Sequence, residues 1–272
     1  MYIPKPLEDK VTIPQLKKLK QQGEKFACLT AYDYSFATVM EDCGIEVVLV
    51  GDSLGMVIQG HDTTIPVTLE DIVYHGKAVA AGLTNAMLML DMPFGTLNSP
   101  QQALDNASEL LKRTQAQVVK LEGGEAQLKT VETMARFGIA SCAHLGLQPQ
   151  MVHKMGGYRV QGKAKSAAEQ MIATARDLEQ AGTDMLLLEC VPASLAAEIT
   201  ATLEIPVIGI GAGVDVDGQI LVLHDILNVT AGKKPKFSKN FMQGQAGIQG
   251  AISRYVQEVK RGQFPDKTHT FS

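Results

Sequence analysis

The sequence predicts an α/β protein whose chain of 272 residues closes into a (β/α)8 barrel. Eight short apolar runs alternate along the chain with segments of helical period, which is the rhythm of repeated βα units. The runs are almost continuously apolar, as expected for parallel strands covered by helices. The length suits one barrel of about 250 residues, although an open doubly wound sheet would show the same rhythm.

The helices between these runs carry recognisable boundary signals. Three residue pairs have the spacing of a capping box, Pro100 stands where a first helical residue tolerates proline, and Gly182 is a plausible helix end. The capping pairs are Thr68 with Asp71, Ser99 with Gln102, and Ser166 with Glu169. The predicted strands are Phe26–Thr30, Glu46–Val50, Ala86–Leu90, Val118–Leu121, Ile139–Ala143, Met185–Leu188, Pro206–Ile210 and Gln219–Leu223.

We predict one domain over residues 1–272, with a short N-terminal extension before the barrel. Two connections exceed the usual βα length of about two to six residues, namely Ser53–Val67 and Gly146–Lys165. Both follow strands at the end where barrel enzymes build their sites. The second, which contains Gly156-Gly157 and four basic residues, is expected to cover a substrate or to be an ordinary mobile insertion.

Composition excludes several classes of function. The chain has 25 Lys and Arg against 29 Asp and Glu, a net charge of -4, and no basic run, so nucleic acid is not an expected partner. It has neither an N-terminal signal pattern nor an apolar stretch of about 18 residues, so we expect a cytoplasmic protein without a membrane partner. The four cysteines are widely spaced and lack a C-x-x-C pair, so reduced thiols are expected.

Ionisable residues repeatedly follow the end of an apolar run. The five are Asp52, Asp91, Glu122, His144 and Glu189. Closing the sheet into a barrel would bring all five to the C-terminal rim, although tens of residues separate them in sequence. A single carboxylate at a strand end is most often a helix cap, but four from four strands indicate a functional site.

Four converging carboxylates require either a cation or raised pKa values. A donor set made of oxygens favours Mg²⁺ or Mn²⁺ over zinc, and Mg²⁺ usually takes only one or two protein carboxylates. We therefore expect Asp52 and Asp91 as metal ligands, followed by Glu122. Gly209–Gly213, after the seventh run, would permit close approach of an anion, but Val214 stands where a dinucleotide fingerprint needs glycine.

The remaining polar residues suggest which reaction the metal would support. Lys120 shares a strand face with Glu122, so it points inward either as an ion-pair partner or as a contact to an anionic substrate. Glu189, from a strand across the barrel, is a candidate proton acceptor or a hydrogen-bonding support. The candidate roles of His144 are to orient a substrate, to titrate near neutral pH or to cap a loop. A metal, a lysine and a base suit enolisation of a 2-oxo acid.

The ordered motifs of the chain resemble the ketopantoate hydroxymethyltransferase family from about residue 24 nearly to the C-terminus. They are Gly51-Asp-Ser-Leu-Gly-Met56, Gln59-Gly-His-Asp-Thr-Thr-Ile-Pro-Val-Thr68, Asp91-Met-Pro-Phe94, Lys120-Leu-Glu-Gly-Gly124, His144-Leu-Gly-Leu147, Gly156-Gly-Tyr158, Leu188-Glu-Cys-Val191 and Ile208-Gly-Ile-Gly-Ala-Gly213. One departure is Gly95-Thr96-Leu97, where many relatives have Gly-Ser-Tyr.

The resemblance implies a barrel of the phosphoenolpyruvate/pyruvate superfamily type. It implies hydroxymethyl transfer from 5,10-methylenetetrahydrofolate to 3-methyl-2-oxobutanoate, giving 2-dehydropantoate for pantothenate, by a Mg²⁺-dependent homo-oligomer that is often a homodecamer. The implied metal residues are Asp52, Asp91 and Glu122. The implied substrate contacts are Asp52, Ser53, Asp91, Lys120 and His144, and Glu189 resembles the proton acceptor at C3.

Two alternatives remain at this stage. A metal-dependent carbon–carbon lyase or mutase of the same barrel superfamily would use the same metal and a 2-oxo or 2-hydroxy acid but no folate. A non-catalytic barrel that only binds a metabolite is the other, and it would gain nothing from keeping mutually repelling carboxylates.

Overall fold

A computed structural model describes residues 5–232 and 234–272 of the chain. Eight parallel strands form a closed barrel in chain order, and the eighth pairs with the first. This closure confirms the (β/α)8 barrel and excludes the open sheet. The strands are β1 (Phe26–Thr30), β2 (Val47–Val50), β3 (Met87–Asp91), β4 (Val118–Glu122), β5 (Ser141–Gly146), β6 (Met185–Glu189), β7 (Val207–Ile210) and β8 (Gly218–Leu221).

All eight strands overlap the predicted runs, and all but one of the first seven are followed by a long helix. The helices are α1 (Ile13–Gln22), α2 (Tyr34–Asp42), α3 (Leu54–Val57), α4 (Leu69–Ala81), α5 (Pro100–Thr114), α6 (Leu128–Arg136), α7 (Val152–Met155), α8 (Lys165–Ala181), α9 (Ala193–Thr202), α10 (Leu223–Ile226) and α11 (Ile248–Lys260). The expectation of eight complete βα units is wrong at one place, because residues 211–217, all described, join β7 to β8 without a helix.

Two of the three predicted helix caps are confirmed. The hydroxyl of Thr68 accepts the backbone N–H of Asp71 in a complete capping box, and Ser99 accepts the N–H of Gln102. The prediction for Ser166 is wrong: α8 begins at Lys165 after an N-cap alanine, which places Ser166 already inside the first turn. At the other end of α8, Gly182 adopts the left-handed conformation expected of a helix end.

The seam between β8 and β1 is held by the last long helix. Tyr255 of α11 is fully buried, and its hydroxyl donates to the carbonyl oxygens of Cys28 on β1 (2.9 Å) and Gln219 on β8 (2.8 Å). Lys260, also on α11, forms an ion pair with buried Glu46, whose carboxylate accepts the N–H of Ala27. The C-terminal helix therefore closes the barrel with polar contacts as well as with apolar packing.

The described part of the N-terminal extension (residues 5–12) and α1 lie at the opposite end of the barrel from the polar strand ends. Val11 donates to the carbonyl oxygen of Asn85, which precedes β3. Lys20 of α1 forms an ion pair with Asp217, directly before β8. None of the described helices combines the length and the apolar character needed to cross a lipid bilayer.

Candidate active site

Strand register brings the predicted polar residues together on the C-terminal rim. Asp91 at the end of β3 is the register partner of Lys120 on β4, and Glu122 at the end of β4 is the partner of His144 on β5. The next pairing, between β5 and β6, aligns Gly146 with Glu189. These pairings between neighbouring strands bring residues that are distant in sequence into one cluster, as the sequence predicts.

Lys120 and Asp91 form a buried ion pair at the centre of the cluster. Lys120 Nζ lies 2.5 Å from Asp91 Oδ1, and the two side chains are only 6% and 2% exposed. Burial alone would lower the pKa of Lys120, but the charges of Asp91, Glu122 and Asp52 more than offset this and raise it. Lys120 is therefore a fixed positive charge facing three acids, as the ion-pair interpretation of the sequence requires.

Asp52 approaches Asp91 through the turn that follows β2. The backbone N–H of Asp52 donates to Asp91 Oδ2 at 2.9 Å, so the two carboxylates are neighbours. Gly51 permits this turn, because a Cβ there would lie 3.2 Å from Asp91 Oδ2 and 3.1 Å from Ser53 Oγ. Burial and the charge of Asp91 raise the pKa of Asp52 to about 7.

Glu122 and Asp52 are joined by Gln150, a residue that the sequence analysis missed. The backbone N–H of Gln150 donates to Glu122 Oε2 (3.0 Å), and its side-chain Nε2 donates to Asp52 Oδ2 (2.9 Å). Glu122 Oε1 is buried and has no hydrogen-bond partner among the described residues. Burial raises the pKa of Glu122 well above its usual range, since the charges of Asp52 and Asp91 add to the cost of ionising it.

His144 lies between Glu122 and Glu189. Its Nδ1 is 3.7 Å from Glu122 Oε1, its Nε2 is 3.3 Å from Glu189 Oε2, and neither contact is a hydrogen bond within the described chain. Burial, reinforced by Lys120, lowers the pKa of His144 well below its ordinary value, so the ring is neutral. Burial also raises the pKa of Glu189 to about 8, against the opposing effect of Lys120.

Ser53 lies beside the acids and is held by a second residue that sequence reasoning missed. Its Oγ is 2.7 Å from the hydroxyl oxygen of buried Tyr32, which follows β1. Burial raises the pKa of Tyr32, so the phenol keeps its proton and can donate. One of the two hydroxyls donates to the other. The accepting hydroxyl can then donate its own proton to a bound oxygen atom.

The two long connections meet over this rim. The Gly146–Lys165 connection contains a 3-10 turn at Pro149–Met151 followed by α7, and the Ser53–Val67 connection contains α3. The Tyr158 hydroxyl of one reaches Met56 Sδ of the other at 3.7 Å, although both side chains remain partly exposed. The connections therefore lie where a substrate-covering loop is expected.

Packing by distant residues explains the glycines in Gly209–Gly213, whereas the approach of an anion to this turn stays a prediction. A Cβ on Gly211 would lie 3.0 Å from both Phe237 and Phe271, and one on Gly213 would lie 2.6 Å from Ala193. The glycines are needed because the C-terminal aromatic rings and α9 pack directly on this turn. That packing joins distant parts of the chain, which local sequence cannot reveal.

The cluster suits a hydrated hard cation better than a closed metal cage. In residues 5–232 and 234–272, no group of three or more His, Cys, Asp or Glu side chains is arranged to hold a metal on its own. Mg²⁺ needs only one or two protein carboxylates, because water and substrate oxygens complete its coordination. Asp52, repelled by Asp91, and Glu122, with an unpartnered buried oxygen, are oxygen donors that a cation would stabilise.

Comparisons with known proteins agree with the motifs. The family model described as ketopantoate hydroxymethyltransferase matches residues 10–267. A 3-methyl-2-oxobutanoate hydroxymethyltransferase of Alkalilimnicola ehrlichii is 56% identical over 261 residues, covering 96% of this chain and 94% of that protein. One of Marinobacter nauticus is 54% identical, covering 96% and 98%.

Solved structures show the same fold at low identity. A phosphonopyruvate hydrolase in complex with oxalate and Mg++ has a TM-score of 0.59 at 12% identity, covering 78% of this chain and 80% of that one. A 2,3-dimethylmalate lyase, described as a member of the PEP mutase/isocitrate lyase superfamily, has a TM-score of 0.55 at 15% identity, covering 77% and 80%. At these identities the likeness shows a shared barrel fold.

Proposed function

The chain belongs to the ketopantoate hydroxymethyltransferase family, and from this membership we propose that it converts 3-methyl-2-oxobutanoate to 2-dehydropantoate in pantothenate biosynthesis. The hydroxymethyl group would come from 5,10-methylenetetrahydrofolate. The observation that carries the proposal is the buried cluster of Asp52, Asp91, Glu122 and Lys120, which faces a separate carboxylate, Glu189. One side of the site can hold an anionic oxo acid while the other removes a proton.

Asp52 and Asp91 would hold Mg²⁺, with Glu122 completing the metal site. The donor set supports this assignment, since all three are buried carboxylates and only Lys120 supplies a full positive charge among the residues named above. When bound, Mg²⁺ would polarise the keto oxygen and stabilise the negative charge that develops at it. The Mg++ found with a hydrolase of the same fold is consistent with this choice.

Glu189 would accept the C3 proton of the oxo acid. Its raised pKa, about 8, makes its carboxylate a stronger base than a solvent-exposed glutamate. C3 then forms a bond to the one-carbon unit of the folate, and both carbon–nitrogen bonds that hold this unit break. Water supplies the hydroxyl group, and the two folate nitrogens take up the proton removed from C3 and the second proton of the water. Neutral His144, 3.3 Å from Glu189, would contact the substrate and orient the base.

Lys120 and Ser53 would contact the oxo acid. Lys120 holds a positive charge on the inner face of the barrel, next to the site proposed for the metal. The Ser53 hydroxyl, oriented by Tyr32, would donate to a substrate oxygen. We further propose that the chain works as a homo-oligomer, which analytical ultracentrifugation of the purified protein can test.

The experiment that tests the function is a complete reaction with purified chain, 3-methyl-2-oxobutanoate, 5,10-methylenetetrahydrofolate and Mg²⁺. We expect 2-dehydropantoate by mass spectrometry, and its loss with EDTA or in Asp52→Asn. Absence of product from the parent protein with all components present would contradict the proposal.

A carbon–carbon lyase or mutase is the second candidate, because structures of such enzymes share the fold. It predicts folate-independent cleavage or rearrangement of a 2-hydroxy or 2-oxo acid. Incubating the same protein with 2,3-dimethylmalate and with phosphonopyruvate, and following products by NMR, separates the two candidates.

A further inference from the structure

Gln150 lies in the Gly146–Lys165 connection and makes three polar contacts within the candidate site. It is 7% exposed and occupies the 3-10 turn at Pro149–Met151. Its side-chain Nε2 donates to Asp52 Oδ2 (2.9 Å) and to the carbonyl oxygen of Met92 (3.0 Å), which accounts for both amide protons. Its backbone N–H donates to Glu122 Oε2 at 3.0 Å.

These contacts occupy one oxygen of each of two carboxylates. Gln150 takes Oδ2 of Asp52 and Oε2 of Glu122, while Glu122 Oε1 is left buried and without a hydrogen-bond partner among the described residues. A neutral amide donates without bringing a charge, so it orients both carboxylates but does not replace a cation. The carbonyl of Met92 fixes the second proton of the amide, which prevents the side chain from turning away.

Holding one oxygen of a carboxylate restricts how that carboxylate can bind a metal. Mg²⁺ requires near-ideal octahedral geometry and is satisfied by single oxygens together with water. Ca²⁺ takes six to eight oxygens and often binds both oxygens of one carboxylate. A carboxylate whose second oxygen already accepts a hydrogen bond in the interior is therefore better suited to the smaller ion.

We propose that Gln150 is a positioning residue that limits Asp52 and Glu122 to single-oxygen contact with the metal and thereby favours Mg²⁺ over Ca²⁺. The inference rests on the proposed function, because it assumes that these carboxylates bind the metal. It adds a determinant of metal choice that acts through the carboxylates without touching the ion.

The test compares Mg²⁺ and Ca²⁺ binding in the full-length parent protein and in Gln150→Met, by titration calorimetry without substrates. Methionine keeps the length of the side chain and the backbone N–H but removes both side-chain donors. Supporting groups of this kind typically change metal affinity about 10- to 100-fold. We expect the ratio of Mg²⁺ affinity to Ca²⁺ affinity to fall about tenfold or more.

Gln148→Met is the matched control. Gln148 lies in the same connection with the same 7% exposure, but its side chain donates to the backbone carbonyl of His144 (3.4 Å) rather than to Asp52 or Glu122. We expect its affinity ratio to stay within about twofold of the parent, as expected for a residue that does not support a ligand. An equal fall in both variants would overturn the inference, because a general loosening of the connection would then explain it.

Gln150→Leu takes the place of the methionine variant if that variant does not fold, as judged by circular dichroism. Leucine fills part of the same space but has no donor for Asp52, so we expect the affinity ratio to fall here as well. A ratio within twofold of the parent in the folded variant would overturn the inference and leave the proposed function intact. A parent protein that binds no Mg²⁺ would overturn both.

Discussion

Replacing Lys120 by methionine should lower the free energy of unfolding by about 3–5 kcal/mol at pH 8, because Asp91 would stay buried without a cation. At the observed separation of 2.5 Å, and with an effective dielectric constant of about 20, the direct attraction is about 7 kcal/mol, part of which offsets the desolvation of both groups. For a domain of this size the loss corresponds to roughly 6–20 °C in the melting temperature.

The destabilisation should depend on pH in a defined direction. The folded-state pKa of Asp52 is raised to about 7, and that of Glu122 is raised further by burial. Groups with raised pKa values stabilise the fold when protonated, and this contribution is lost as the pH rises through the folded-state value. Without Lys120 those pKa values rise again, so the deficit should be largest at pH 8 and smaller at pH 6.

Urea denaturation at both pH values, with and without Mg²⁺, measures the effect. Lys20→Met is the control, because Lys20 pairs with Asp217 at 2.9 Å outside the site and the two side chains are 13% and 12% exposed. The control should be less destabilised and insensitive to Mg²⁺, whereas Mg²⁺ should recover part of the Lys120→Met deficit. Equal deficits in the two variants, unchanged by pH and Mg²⁺, would refute the account of Lys120 as the charge that holds the acids together.

Three further outcomes are expected from particular contacts. Mg²⁺ affinity should fall below pH 7 by up to about tenfold per pH unit for each proton displaced, because the pKa of Asp52 is raised to about 7; calorimetry that finds constant affinity from pH 6 to 8 would contradict this. Tyr255→Phe should cost about 1–3 kcal/mol, since its hydroxyl joins the carbonyls of Cys28 and Gln219, and an unchanged urea midpoint would argue against that role. Thr68→Ala should cost about 1 kcal/mol through loss of the α4 cap, whereas a thermal melt identical to that of the parent would show that the cap is redundant.

The barrel was predictable because parallel strands covered by helices must be apolar along their whole length. That requirement produces runs such as Val47–Val50 and Met185–Leu188 that stand out from the helical segments around them. The connection between β7 and β8 was not predictable, since nothing in the local pattern says that a helix is missing there. The start of α8 was missed for a related reason: Ser166 and Glu169 have the right spacing, but the helix begins at Lys165.

The candidate site was predictable only as far as strand ends define it. Asp91, Glu122 and Glu189 are the last residues of their strands, so the barrel topology alone brings them to one rim. Gln150 and Tyr32 were missed because their places depend on loop conformation and on partners far away in sequence. The sequence shows only that Gln150 is an amide residue in a long connection after a barrel strand, and its burial is known from the structure alone.

The family resemblance seen in the motifs is confirmed by the family model over residues 10–267. The roles of Asp52, Asp91, Glu122, Lys120, Ser53, His144 and Glu189, the use of Mg²⁺ and the folate donor remain predictions that the experiments above address. The structure shows where these residues lie relative to one another. In particular, it separates the carboxylates around Lys120 from Glu189, with neutral His144 between them.

Proton exchange at C3 of 3-methyl-2-oxobutanoate tests the central claim most directly. The protein is incubated with the oxo acid and Mg²⁺ in D₂O without folate, and the methyl doublet is followed by proton NMR, with EDTA and Glu189→Gln as controls. We predict that the doublet collapses to a singlet only with Mg²⁺ and with Glu189 present, while the variant still binds Mg²⁺ and the oxo acid. Equal exchange in Glu189→Gln would contradict the assignment of Glu189 as the base that acts on C3.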